Sequence, residues 1–172
     1  MDQAKRTLAL LLLMAVQVMV VNHIHLMGCV TPLIIGYLLI CFHAGTSRTE
    51  LLCWGFAEGL IYDIFSDTMG IGAASCTLLA LLQPMLLKLF KPREAQDDFE
   101  PSINSMGASG FLTYAAACLL VLHTAFYLLD SFSFAHILTT LIAITGSTAL
   151  ATVLTAGMEL LIRQSPHESK PR

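Results

Sequence analysis

Charge is what this sequence has least of. Only 12% of its residues are charged and 56% are hydrophobic, where a soluble domain carries about a quarter charged. That shortage excludes a single soluble domain and makes the chain an integral membrane protein. The net charge of −3 says little about partners, because acids and bases are segregated along the chain, and no nucleic-acid reading survives. Catalytic constellations are missing as well. There is no Ser-His-Asp order, no phosphate loop and no pair of catalytic carboxylates, and Gly70-Ile-Gly72 has neither a strand before it nor a third glycine. The five cysteines, Cys29, Cys41, Cys53, Cys76 and Cys118, include no Cys-x-x-Cys pair and lie mostly within apolar runs. They read as small core residues, not as a disulfide framework or a metal knuckle. The residues therefore support no enzyme or cofactor reading, and the cysteines offer no metal site.

What is present is a series of apolar runs. They predict an all-α, six-transmembrane-helix bundle with spans over about 7–26, 30–43, 51–66, 70–90, 109–130 and 134–162. These form one domain over 1–163, followed by a polar tail over 164–172. The first run, Leu8–Val21, has the charge and length of a signal peptide. It leads into Asn22-His23-Ile24-His25, with no small-residue cleavage site, and is read as an uncleaved span. The second takes Pro32 into its first turn. Ser66–Gly70 is a tight turn, so the third and fourth spans form an antiparallel hairpin. One linker, around Pro92 and Pro101, carries Glu94, Asp97, Asp98 and Glu100. The last run is long enough to require tilt, a bend near Gly146 or protrusion beyond the lipid. All 9 basic residues fall in 1–6, 43–50, 88–108 and 163–172, and the alternate connections have none. The positive-inside rule then places both termini in the cytoplasm.

Within this apolar frame, Trp54–Gly72 places two carboxylates at membrane depth, where charge needs a reason. Read as a helix, Gly55, Gly59 and Asp63 share one stripe. A small-x-x-x-small stripe admits close approach of another helix and carries Asp63 into that contact. Glu58 and Tyr62 form a neighbouring i, i+4 pair. Asp63 and His123 both fall in the outer half of their spans, roughly 18 Å and 21 Å from the inner ends at 1.5 Å per residue. His23, His25 and His136 fall there too. Two readings stand side by side. Such groups mark proton or metal paths, or Asp63 is hydrogen-bonded and ties helices together while the histidines sit in the wet interface.

Three stretches carry a resemblance: Asn22-His-Ile-His-Leu-Met-Gly-Cys-Val-Thr-Pro-Leu33, Gly55-Phe-Ala-Glu-Gly-Leu-Ile-Tyr-Asp-Ile-Phe-Ser66 and Met69-Gly-Ile-Gly-Ala-Ala74. Together they resemble the rod-shape-determining protein MreD family, over about residues 8–90. The resemblance implies a non-enzymatic scaffold of the bacterial cell-elongation and peptidoglycan-synthesis machinery in the inner membrane. It would pair with an MreC-like bitopic protein and, with it, MreB, RodA and a class B penicillin-binding transpeptidase. The family is also similar to the substrate-binding subunits of energy-coupling-factor transporters, which are six-helix bundles. That keeps a second expectation, a permease subunit for a vitamin or metal. Short outer loops and a single tryptophan, Trp54, speak against a vitamin pocket.

Overall fold

The computed structural model describes residues 12, 13, 15, 17, 31–92, 99–131 and 137–164, with side chains to residue 161. Among them are five helices and no strand: α1 Tyr37–Ile40, α2 Arg48–Ser66, α3 Ile71–Phe90, α4 Ile103–Ser131 and α5 Ile137–Gln164. Residues 12, 13, 15 and 17 are helical. The rest of the expected first span, with Asn22, His23 and His25, lies outside the described residues, as do most of the linker acids, His136 and the tail. Three helices, α3, α4 and α5 as far as Leu161, are long and apolar enough to cross a membrane.

Local chemistry sets the helix ends. Ser47 caps α2, its side chain accepting from the Glu50 N–H, in the Ser-x-x-Glu spacing of a capping box. α2 closes on Asp67 in the left-handed region (φ 55) and α3 opens after Gly70 (φ 91), so the reversal is tight. α4 is interrupted near its start by Gly107 (φ 73, ψ 161), a conformation that glycine adopts at little cost. α5 runs unbroken through Gly146. Its 28 residues give a rise of roughly 42 Å, longer than a hydrocarbon core of about 30 Å.

α2 packs antiparallel on α3, α3 on α4 and α4 on α5. Residues 32–40, all buried, fill the space these helices leave, and Gly36 is seated against Leu79, Leu119 and Leu122. This corrects one expectation. The second apolar run, 30–43, is not a helix among its described residues: only the single turn Tyr37–Ile40 is helical. The physical reason is length. Thirteen or so helical residues rise only about 20 Å, and protein on every side removes the need for each peptide group to bond within its own segment. The expected six-helix bundle is, among the described residues, four long helices around a mostly non-helical thread.

Candidate functional site

Two polar constructions lie inside this apolar bundle. The first is the α2–α3 hairpin. A Cβ placed on Gly55 would meet the Ala80 Cβ at 2.8 Å and the Cys76 carbonyl oxygen at 2.9 Å. On Gly59 it would collide with the Gly72 carbonyl and come within 2.5 Å of the Ala73 Cα. The stripe therefore faces α3, backbone against backbone. At its end the Asp63 carboxylate accepts three hydrogen bonds. The Gly72 N–H donates to Oδ1 at 2.8 Å, the Ala73 N–H donates to Oδ2 at 2.8 Å, and the Thr68 hydroxyl donates to Oδ1. Asp63 thus does for α3 what an N-cap side chain does, from the neighbouring helix. It covers amides that lack a partner within α3 and sits at the positive end of the α3 dipole.

The second construction is a collar around residues 31–42. The Tyr127 hydroxyl receives the Thr31 N–H at 3.0 Å, and His123 Nε2 receives the Leu33 N–H at 3.0 Å. Gln17 spans Pro32: its Oε1 accepts from the Ile34 N–H at 2.8 Å and its Nε2 donates to the Pro32 carbonyl at 3.1 Å. At the far end the Tyr114 hydroxyl donates to the Ile40 carbonyl at 3.2 Å, and Gln83 Nε2 lies 3.3 Å from the Phe42 carbonyl and 3.0 Å from the Tyr114 hydroxyl. The Ala44 N–H then donates to the Phe99 carbonyl at 2.9 Å. Partners on α4 descend from Tyr127 to Tyr114 as the thread ascends from Thr31 to Ile40, so the two run antiparallel. Over that stretch α4 rises roughly 20 Å, and a helix from Thr31 to Ile40 would rise only roughly 14 Å. Partial extension makes up the difference.

His123 owes its tautomer to this position. Nε2 accepts from Leu33, so the ring proton sits on Nδ1, which donates to the Leu119 carbonyl at 2.8 Å. The imidazole is neutral in this arrangement, because a proton on Nε2 would face an N–H donor. On the same thread, the Tyr37 hydroxyl donates to Glu159 Oε2 at 2.6 Å, and the Tyr127 hydroxyl lies 2.8 Å from the Ser147 hydroxyl.

The residues singled out in the sequence thus divide. Gly55, Gly59 and Asp63 meet α3, and His123 belongs to the collar. Glu58 and Tyr62 are not bonded to each other. The Tyr62 ring turns edge-on to Phe126 (centroids 6.0 Å apart), and both Glu58 oxygens lack a hydrogen-bond partner although the side chain is fully buried. Aromatic packing across α2 and α4 takes Tyr62 away from the i, i+4 contact. The collar residues Gln17, Gln83, Tyr114, Tyr127, Tyr37 and Glu159 were not anticipated. Two glutamines within apolar runs were the available signal. Of the cysteines, Cys76 and Cys118 are buried as expected and Cys53 is exposed. Among the described residues no three His, Cys, Asp or Glu side chains gather in a metal-binding group. Compared with family models, curated proteins and solved structures, the chain matches none.

Proposed function

We propose that this chain is a non-enzymatic membrane scaffold of the bacterial cell-elongation machinery, in the manner of the MreD family. Its first partner would be an MreC-like bitopic protein, in a complex with MreB, RodA and a class B penicillin-binding transpeptidase. The observation that carries the reading is how the resembling residues are used. Gly55, Gly59, Gly72 and Asp63 build a rigid hairpin, and the carboxylate is occupied by backbone amides. A scaffold needs such fixed surfaces, and a reaction centre would need the carboxylate free. In the inner membrane both termini would be cytoplasmic, with residues 31–44 making the second crossing as a thread and so preserving the alternation that the bases require.

One observation favours a second reading, a substrate-binding permease subunit: broken, non-helical spans at bilayer depth recur at transporter sites. Affinity capture from native membranes separates the two. Recovery of the bitopic partner and the cell-wall polymerases is the expected result, and recovery of an ATPase-bearing transporter module would replace the scaffold with the permease subunit.

A further inference from the structure

Glu58 is used by neither construction. It lies between Gly55 and Gly59 on the closely packed side of α2, is 0% exposed, and neither carboxyl oxygen has a hydrogen-bond partner. The titratable groups on the elements packed around α2 are directed elsewhere. On α2 itself, Asp63 is held by the α3 amides and the Tyr62 ring packs on Phe126. On the thread, Tyr37 donates to Glu159, and on α4 His123 bonds Leu33 and Leu119. From α3, the Cys76 thiol is within electrostatic reach and offers no charge to balance a carboxylate.

An ionised carboxylate in such a place has nothing to offset its lost hydration, and a group so buried takes up a proton instead. A metal ion or an organic ligand needs further donor atoms, and neither carboxyl oxygen has a polar partner beside it. A proton needs none. We propose that Glu58 is a proton-binding site: the packed bundle holds its carboxyl as the neutral acid, and the proton leaves only when the Gly55–Gly59 face of α2 separates from its neighbours. The step is simple uptake, one solvent proton joining one carboxylate oxygen, with no electron transferred. Proton occupancy thereby becomes linked to the packing of α2 against its neighbours, α3 first among them.

The test uses the full chain in lipid nanodiscs. Infrared spectra at neutral pH should contain a protonated-carboxyl C=O band that Glu58→Gln removes. Because the folded chain then binds one proton more than the unfolded chain, its folding equilibrium should fall about tenfold per pH unit, relative to Glu58→Gln, above the range where a solvated glutamate titrates. Should Glu58→Gln fail to fold, Glu58→Leu serves as the reference, since it fills similar volume without a polar group. Parallel pH curves for wild type and variant, or a missing band, would overturn the proposal. So would stabilisation of the wild type, but not the variant, by sodium or potassium at fixed pH, which would make the site one for a metal cation.

Discussion

The hairpin and the thread solve one problem in opposite ways. Both must leave no backbone amide unpaired in an apolar interior. The hairpin does so with regular helices, glycines that let the backbones touch, and one carboxylate reaching nine residues ahead from Asp63 to Gly72. The thread gives up regular helix and borrows partners from side chains far away in sequence, 90 residues from Leu33 to His123 and 96 from Thr31 to Tyr127. Regular structure is thus one means of burying backbone, and a prepared lining of polar side chains is another.

The sharpest way to break the comparison is Gly59→Leu. Its side chain would have to enter space held by the Gly72 and Ala73 backbone, and helices, unlike side chains, cannot yield locally. A loss above about 3 kcal/mol is expected, at or beyond the usual cost of overpacking. Thermal unfolding of the purified chain reads it, and an unchanged midpoint would mean that close approach does not hold the hairpin.

Asp63 comes next. Asp63→Leu strands the Gly72 and Ala73 N–H groups and the Thr68 hydroxyl, at about 3 kcal/mol. Asp63→Asn keeps one acceptor oxygen and should lose about 1 kcal/mol. Equal losses in the two variants would show that the negative charge itself is needed, not the acceptor geometry.

The collar should give the smaller single effects and the larger coupling. Gln17→Leu strands the Ile34 N–H and the Pro32 carbonyl, and His123→Phe strands the Leu33 N–H, for about 2 kcal/mol per variant. Because Leu33 and Ile34 are adjacent, releasing one loosens the other. The double variant should therefore cost less than the sum of the singles by about 1 kcal/mol. Strict additivity would show that the collar acts as separate bonds and not as one clamp.

The same contrast explains what could be read from the sequence. The spacing of Gly55, Gly59 and Asp63, and the turn at Ser66–Gly70, are local patterns with a fixed helical period, so the hairpin could be inferred. Residues 30–43 are apolar, and apolarity alone does not distinguish a helix from a thread buried on all sides. Their one distinguishing local feature is shortness, since a helix of that length rises only about 20 Å. The collar was hidden for a different reason. Nothing near Leu33 in sequence points to His123, and neutral Gln17 and Gln83 do not stand out in a search for charge.

The long reach of the thread also bears on how the chain is made. With synthesis at about 5–20 residues per second, the 90 residues between Leu33 and His123 correspond to roughly 5–20 s. During that time the Thr31, Leu33 and Ile40 backbone groups exist without the α4 side chains that later receive them. The hairpin, by contrast, has all its partners once α3 has emerged, as far as Phe90. Nascent chains should therefore acquire the α2–α3 unit first and keep residues 31–42 in a wet or assisted environment until α4 arrives. A chain interrupted in the linker would present a folded hairpin beside a thread whose α4 partners do not yet exist.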